Sequence, residues 1–562
     1  MRETVWQKWK KKDRDAWSIL FLLLLCAQLV MLIRFNLSDI RYSLDADFAN
    51  TVYHFRQVIA QGTIALPDWY NTTSLELDGS FLFALPLYYL LHNIFLAVGI
   101  ANLLFIALYI RIVTELLQCA AVQRRLILFT LCLLLTPYSF GMLEYFNMLF
   151  FAGACYSMKV LVPLLLILLL AEQPVAEFCV RRVLQVLLFL FLLFMTVFST
   201  GFYVLLCGIL PVLLGAALQI WKQGGPKPGQ CGRKNLSLLA AMILTAAAGY
   251  AMHQHYYGLA SRTDMKLTKL DNLAVNFRGC IAGLFQVFGA VPSDDIKAMS
   301  PQGILYCLRI GAVILLLLAF AAGLKRLLRT DAAEEKDPED DGRAELIKDY
   351  KKATGFMSSC LTILFLFNFL IVLVSDTRYS GNTNIEYRYL LIGMVPLIPL
   401  LGIVLQEKSR AWNPFQSRCV FAVLFLAAAM LIAGSDRMVS KNWDRSGYAV
   451  ELSDYFKTQD LESVFFIDDP DTMDFCRAID GSHKYGWFNS ADQKLELTFC
   501  SYNAAQYGNF FGNKNAIAVI NLYGKQLSDY LPQEIAQHYT KTGSVEWFDI
   551  YTADQVYFPS AQ

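Results

Sequence analysis

The sequence is poor in charged residues, which make up only 17% of its 562 positions. A soluble chain of this length needs more polar surface than that to cover its core. The 48 Lys and Arg residues nearly balance the 47 Asp and Glu residues, so no basic excess indicates nucleic acid as a partner. The charges that are present gather between long apolar runs, as they do in the loops between membrane spans.

Metal-binding spacings are missing as well. The 13 cysteines include no Cys-x-x-Cys pair and form no Cys/His cluster, and most of them lie in apolar runs, where cysteine is a small packing residue. No internal repeat is evident, which argues against transporters built from repeated halves. The sequence therefore provides no metal-ligand set and no sign of a duplicated transporter fold.

Apolar runs dominate the first three quarters of the chain. A helix needs about 20 mostly apolar residues to cross the hydrocarbon core of a bilayer. About eleven runs are candidates: 17–33, 96–117, 126–140, 146–171, 183–199, 202–221, 236–256, 304–324, 356–375, 389–405 and 419–435. Basic residues precede the first run and no small-residue cleavage site follows it, which indicates an uncleaved span with a cytoplasmic N-terminus.

The charges of the loops support this layout. Loops assigned to the cytoplasm contain Lys and Arg, whereas the short outside turns near Tyr138 and Thr200 contain neither. An odd number of spans places the C-terminus on the opposite side from the N-terminus. We therefore predict a multi-pass protein of a bacterial cell membrane, although an endoplasmic reticulum protein with a lumenal active side would show the same pattern.

The character of the sequence changes after residue 435. Segments 463–468, 494–499, 516–524 and 545–553 are rich in β-branched and aromatic residues, which is typical of strands, and 526–539 has the pattern of a helix. The predicted fold class is a polytopic α-helical membrane protein with a C-terminal extracytoplasmic α/β domain. We place the transmembrane domain at residues 1–435 and the small α/β domain at 436–562.

The first outside loop, residues 35–80, is too long for a simple connection between spans. Within it, Phe48, Val52, Phe55 and Ile59 fall on one stripe of a helix that we expect to lie at the membrane interface. Two acids, Asp45 and Asp47, stand at its N-terminal end, where the helix dipole favours a carboxylate. A helix N-cap explains one of them well but not both.

Three further sites carry candidate residues. Glu144 lies in the second outside turn, and Glu386 and Arg388 lie at the outside mouth of a late span. His54 lies on the predicted interfacial helix, away from its apolar stripe, and is a candidate substrate-binding residue. The alternatives are a water-facing acid at a span end for Glu144 and a snorkelling interfacial arginine for Arg388.

The order of these features resembles the GT-C superfamily of integral membrane glycosyltransferases, which includes the protein O-mannosyltransferases and the aminoarabinose transferases. A first span is followed by the acids, by a helix ending at Gly62 and by the sequence LFALPLYYLL (82–91) before the second span. The family's acidic pair is commonly contiguous, whereas this chain has Asp-Ala-Asp, so the resemblance leaves the choice of catalytic acid between Asp45 and Asp47 open. It also implies that Arg388 binds a carrier phosphate and that Glu144 and Glu386 belong to the substrate site.

The resemblance implies an inverting hexosyl or pentosyl transferase of cell-envelope glycan or glycolipid assembly. Its donor would be a sugar on polyprenyl phosphate at the bilayer, and its acceptor a hydroxyl of a glycan, lipid or protein. Members differ in metal dependence, so a divalent cation is the one cofactor left open and its ligands are unknown. The rival functions are a transporter or flippase of polyprenyl-linked sugars and a structural assembly subunit; a transporter would more often carry charges within its spans.

Overall fold

The computed structural model describes residues 15–557, except 65, 67–68, 70–73, 142, 172–179, 223–232, 258–265, 293–294, 330–342, 377–384, 435–443, 497–512 and 522–523. The predicted domain boundary at 435/436 therefore lies outside the described residues. The part described is mostly helical, with one larger sheet near the C-terminus.

The helices, numbered along the chain, are α1 (Ala16–Arg34), α2 (Ala46–Gln61), α3 (Phe81–Leu91), α4 (Ile94–Cys119), α5 (Arg124–Leu134), α6 (Tyr145–Phe150), α7 (Ser157–Ala171), α8 (Val180–Thr200), α9 (Leu210–Lys222), α10 (Arg233–Tyr257), α11 (Leu273–Gln286), α12 (Pro301–Leu328), α13 (Arg343–Val374), α14 (Leu391–Met394), α15 (Leu397–Ser409), α16 (Pro414–Gly434), α17 (Gly447–Lys457), α18 (Pro470–Ile479) and α19 (Gln533–Ala536). The strands are β1 (Lys266–Leu267), β2 (Ser375–Asp376), β3 (Ser463–Ile467), β4 (Lys484–Asn489), β5 (Lys494–Glu496), β6 (Asn515–Ile520), β7 (Thr540–Val545) and β8 (Phe548–Ala553).

Within the described part of the chain, eight helical segments are long and apolar enough to cross a membrane. They are Ala16–Tyr42, Ile94–Cys119, Val180–Thr200, Leu205–Lys222, Pro301–Leu328, Lys352–Val374, Tyr387–Ser409 and Pro414–Gly434. Each coincides with a run predicted from the sequence. The chain is a polytopic α-helical membrane protein, which confirms that part of the predicted fold class.

Three of the eleven predicted runs are helical but do not join those eight. Run 126–140 contains only the 11-residue helix α5, and run 146–171 is divided between α6 and α7. The break between α6 and α7 includes Ala152 and Ala154 in the left-handed region, with φ of 51° and 44°, which no helix continues through. Run 236–256 coincides with α10, which is long enough to span but is less apolar than the eight.

Helix α2 positions the candidate site. It ends as predicted at Gly62, whose φ of 67° is a left-handed conformation that glycine adopts without a Cβ penalty. Phe48, Val52 and Phe55 of the predicted stripe are buried, and so are Tyr53 and His54 on another side of the helix. The helix is therefore enclosed by protein on two sides, because both the bundle and the C-terminal region pack against it.

The C-terminal region contains a six-stranded sheet in the order β5-β4-β3-β6-β8-β7. Strand β3 pairs in parallel with β4 and β6, and the remaining pairs are antiparallel. Helix α18 connects β3 to β4, so the region is the predicted α/β fold. The predicted helix 526–539 is instead a 3-10 turn at Leu527–Asp529 and the short α19, because Pro532 interrupts it.

Helix α18 packs against α2 and joins the two parts of the molecule. Arg56 of α2 donates from Nε to the carbonyl of Ala478 and from Nη2 to that of Ile479, both at 3.0 Å. These carbonyls belong to the last turn of α18, where the chain's own helical hydrogen bonds run out. The arginine therefore caps α18 and fixes its end against α2.

Candidate functional site

Asp45 is the N-cap of α2. Its carboxylate accepts a hydrogen bond of 2.9 Å from the backbone amide of Phe48, and its side chain is only 5% exposed. Arg445 lies 3.4 Å away. Burial, and to a smaller extent the charge of Asp47, raise the pKa of Asp45 to about 6 against the opposing effect of Arg445.

Asp47 lies in the first turn of the same helix, but its side chain is 62% exposed. Its Oδ2 atom is 2.9 Å from Nη1 of Arg388, and Nη2 of that arginine is 2.7 Å from Oε2 of Glu386. One guanidinium thus bridges two carboxylates, although it lies 341 residues from the first of them. Three of the predicted site residues therefore meet directly.

The local structure around Arg388 explains its position. Arg388 lies in a 3-10 turn, Tyr387–Leu390, at the start of the apolar segment Tyr387–Ser409. Its guanidinium also lies 5.7 Å from the ring centre of Tyr389. An arginine at a span end, flanked by tyrosines, holds its charge at the membrane surface while its stem packs among rings.

Glu144 joins this site indirectly. It is half-buried at the N-terminal end of α6, and its Oε2 atom accepts a hydrogen bond of 3.1 Å from the amide of Gly141. Burial raises its pKa, whereas hydrogen bonds from Ser139 and Gly141 and the charges of Arg309 and Arg445 lower it. The charge of Arg445 lowers the pKa of both Glu144 and Asp45, but Arg445 is in ion-pair distance of Asp45 alone among these two acids.

His54 is placed differently from the other predicted residues. Its ring is 3% exposed and stacks on Trp69, with centroids 4.5 Å apart, and on Phe81, with centroids 5.7 Å apart. Burial lowers its pKa to about 4, so the imidazole is neutral at physiological pH. These contacts describe a packed core histidine, and its predicted substrate-binding role stays a prediction.

A further carboxylate, Glu76, is not among the residues predicted from the sequence. Its Oε2 atom accepts a 3.3 Å hydrogen bond from the hydroxyl of Thr51, which also donates to the carbonyl of Asp47. Burial, and to a smaller extent the charge of Asp47, raise the pKa of Glu76 to about 7. Its φ of 57° places a bulky residue in the left-handed region, which is uncommon and often marks a functional site.

A buried ion pair supports the loop beneath Glu76. Asp78 lies 2.7 Å from Lys159, with side chains 2% and 8% exposed, and also accepts a 2.9 Å hydrogen bond from the hydroxyl of Ser199. Two features of the sequence could have pointed to these residues. Glu76 and Asp78 repeat the acid-x-acid spacing of Asp45 and Asp47, and Lys159 is a charge within an apolar run.

Arg445 had no comparable signal, because it follows the last span in a polar stretch. Its amide donates to the carbonyl of Tyr42 at 2.8 Å. The hydroxyl of Ser446 donates to the carbonyl of Arg41 and accepts from the amide of Leu44. The start of the C-terminal region is thus hydrogen-bonded to the segment just before Asp45, which holds Arg445 beside that acid.

Metal binding was left open by the sequence. Among these residues, no group of three or more His, Cys, Asp or Glu side chains is arranged to hold a metal ion. The divalent cation left open by the sequence stays untested, and the chemistry proposed below does not depend on it.

Comparisons with known proteins add little. No family model and no curated protein matches the chain. The crystal structure of ArnT from Cupriavidus metallidurans in the apo state is similar over 94% of this chain and 97% of that chain, with 10% identity and a TM-score of 0.43. A TM-score this low carries no argument about activity, so function has to be argued from the site.

Proposed function

We propose that the chain is a membrane glycosyltransferase that moves a sugar from a polyprenyl-phosphate carrier to an acceptor hydroxyl on the extracytoplasmic face. The contact between Asp47 and Arg388 carries this proposal, because it pairs an exposed carboxylate with a guanidinium at the start of a membrane segment. A transferase of this kind needs a base for the acceptor and a cation for the carrier phosphate.

Asp47 is the proposed base. The acceptor oxygen attacks the anomeric carbon, its proton passes to the Asp47 carboxylate, and the bond between that carbon and the phosphate oxygen breaks with its electrons leaving on the phosphate. Attack opposite the leaving phosphate inverts the anomeric centre. Asp45 is less suited to this role, because it is buried and already accepts the helix-capping hydrogen bond of Phe48.

Arg388 is the proposed phosphate ligand. Its planar fork of donors matches phosphate oxygens and stays charged at any physiological pH. Its ion pair with Asp47 is partly exposed, and such pairs contribute only about 0–1 kcal/mol. A carrier phosphate therefore has little to overcome when it replaces the Asp47 carboxylate on Arg388, which frees that carboxylate to accept a proton.

The position of the site along the chain supports an outside location. Asp47 follows the first span, whose other end carries the basic N-terminal stretch predicted to lie in the cytoplasm. The Tyr387–Ser409 segment has Lys408 in its last turn and is followed by Arg410 and Arg418. Several basic residues thus lie at the end of each segment opposite Asp47 or Arg388, as expected if these two residues and the C-terminal region are extracytoplasmic.

The test is transfer by the purified full-length protein in liposomes. The donors are radiolabelled undecaprenyl-phosphate sugars, both hexose and pentose, and total membranes serve as the acceptor source. We expect label to move into an acceptor fraction with the wild type, and Asp47→Asn to reduce the rate by about 10²–10⁴-fold. Asp45→Asn is the matched control, because asparagine is an equally good N-cap and we expect only a few-fold change.

Two outcomes would contradict the proposal. Normal turnover by Asp47→Asn would exclude this residue as the base. Movement of intact labelled carrier from one leaflet to the other, with no transfer to an acceptor by any donor, would instead indicate a flippase. A leaflet-accessibility assay on the same liposomes separates the two, because transfer breaks the bond to phosphate and flipping does not.

A further inference from the structure

A cavity of about 350 Å³ lies at the other end of α2, between this helix and the C-terminal region. Asp47 and Arg56 are nine positions apart, which places the cavity about 13 Å along the helix from Asp47. The residues that line it are Tyr53, Arg56, Gln57, Ile59, Ala60, Tyr88, Ile94, Arg477, Asp480, Gly481, His483, Lys484 and Tyr485. None of them is part of the proposed transferase chemistry.

One wall of the cavity, formed by the C-terminal region together with Arg56 of α2, is basic. Arg477 stacks over Tyr53 at 3.9 Å and pairs with Asp474 at 2.5 Å, so its guanidinium is held in place. Arg56, Arg477 and Lys484 give the lining three positive charges against the single carboxylate of Asp480. Even with Asp474 counted, the balance is positive when His483 is neutral.

Asp480 is already occupied by neighbouring donors. Its oxygens accept hydrogen bonds from the amide and hydroxyl of Ser482, from Nδ1 of His483 at 2.5 Å and from the hydroxyl of Tyr485 at 2.8 Å. Burial works against its ionisation, but these hydrogen bonds hold the pKa of Asp480 well below its usual range. The carboxylate thus accepts its hydrogen bonds from residues of the cavity wall and does not need a ligand to satisfy it.

Arg56 is fixed at the edge of the cavity. Two of its nitrogens donate to the carbonyls at the end of α18, and the third, Nη1, lies beside Gly481. A Cβ atom on Gly481 would come within 2.7 Å of this Nη1, so the close approach depends on glycine. The arginine is therefore pre-positioned by main-chain contacts and does not have to be ordered by a ligand.

The opposite wall is apolar and lies where the chain enters the membrane. Ile59 and Ala60 come from the end of α2, and Ile94 is the first residue of the membrane segment Ile94–Cys119. Next to Tyr88, Tyr89 and Leu90 are 57% and 77% exposed. Exposed aromatic and aliphatic side chains at a span end are typical of the membrane interface, where headgroups meet hydrocarbon.

We propose that this cavity binds the phosphate headgroup of an anionic membrane lipid. The basic wall receives the phosphate, and the apolar wall receives the first carbons of the lipid's tails. A basic pocket at a membrane interface is a recognised arrangement for anionic headgroups, and each Arg or Lys near the surface contributes about 1 kcal/mol to such binding. A free soluble phosphate would use the basic wall alone.

Native mass spectrometry of the purified full-length protein tests this proposal. The probes are dioleoyl phosphatidylglycerol and dioleoyl phosphatidylcholine, which share their tails and differ in net charge. We expect the wild type to prefer phosphatidylglycerol, and Arg56→Gln to reduce this preference about fivefold. The control is Lys494→Gln, which removes one positive charge from an exposed position on β5, outside the cavity.

Ala60→Trp keeps the test decisive if Arg56→Gln loosens the fold. Ala60 is exposed on α2, so tryptophan there fills the cavity while every charge is retained. We expect it to abolish the preference, and we expect Asp47→Asn to leave the preference intact, whatever that variant does to transfer. Equal preference in the wild type, Arg56→Gln and Ala60→Trp would overturn the site. Displacement by glycerol phosphate as efficient as by a short-chain phosphatidylglycerol would overturn its assignment to a lipid.

Discussion

The surroundings of Asp45 and Asp47 differ sharply, although the two residues are separated by one alanine. Asp45 is 5% exposed, caps α2 and lies beside Arg445 from the C-terminal region. Asp47 is 62% exposed and contacts Arg388 from the membrane bundle. Asp45 therefore has a structural role, whereas the carboxylate of Asp47 is accessible to a substrate. We therefore expect substitution of Arg388, which pairs with Asp47, to reduce the transfer rate more than substitution of Arg445, which pairs with Asp45.

Among the two arginines and Glu76, we expect substitution of Arg388 to have the largest effect on the transfer rate. Arg388→Gln removes the proposed phosphate ligand, and loss of one such preorganised donor typically costs about 10²–10³-fold in rate. Arg388→Lys keeps the charge but loses the fork, so its rate should fall between those of the wild type and the glutamine variant. The measurement is initial transfer rate in liposomes over a range of donor concentrations.

A fold control accompanies that measurement. Because the Asp47–Arg388 pair is partly exposed, Arg388→Gln should lower the thermal midpoint in detergent only slightly, mainly through the loss of the less exposed pair with Glu386. An inactive variant with an unchanged midpoint has lost a substrate contact. A rate equal to the wild type would mean that Arg388 is only an interfacial, snorkelling arginine, which was the alternative from the sequence.

A smaller effect concerns Glu76, the third carboxylate near Asp47. Burial raises the pKa of Glu76 from 4.5 to about 7, so between these values the folded chain holds a proton that the unfolded chain has released. The free energy of unfolding should therefore fall as pH rises through this window and level off above it. Glu76→Gln should remove this dependence and stabilise the protein at pH 8 by on the order of 1 kcal/mol, since the side chain is half-buried.

Thermal midpoints followed by tryptophan fluorescence at a fixed heating rate check this sign. Asp45 has its own raised pKa of about 6, so the wild type combines two carboxylates and Asp45→Asn serves as the comparison. Glu76→Gln should flatten the part of the curve between pH 6 and 7, where Asp45 contributes least. A midpoint that rises with pH in this range would show that Glu76 is stabilised as a carboxylate instead.

Local patterns in the sequence predicted elements whose cause is local. The stripe of α2, its end at Gly62 and the eight apolar segments follow from periodicity, glycine conformation and hydropathy. The sequence did not predict which faces of α2 are covered, because Arg477 of α18, more than 400 residues later, packs over Tyr53, and Trp69 and Phe81 stack on His54. His54, on the polar side of the helix, stacks on Trp69 and Phe81, and its substrate-binding role stays a prediction.

In the candidate site, too, contacts between distant parts of the chain could not be predicted from the sequence. Asp47, Glu386 and Arg388 were identified from their type and their place at span ends, and the structure brings them into contact. Glu76 could have been noticed from its spacing to Asp78, which repeats that of Asp45 and Asp47. Arg445 could not, since its place beside Asp45 depends on the hydrogen bonds of Arg445 and Ser446 with the chain at Arg41 to Leu44.

The smallest effect is expected at Arg445. Its 3.4 Å contact with Asp45 is long and partly exposed, so Arg445→Gln should reduce transfer by less than about fivefold. Removing the positive charge should also move the pKa of Asp45 further above 6 and extend the acid-dependent part of the stability curve upward, which a purely packing role would not do. The matched measurement is transfer by Arg388→Gln under the same conditions. If Arg445→Gln lost as much transfer activity as Arg388→Gln, both guanidinium groups would have to reach the reacting phosphate. The distinction between a structural Asp45 and a substrate-accessible Asp47 would then be wrong.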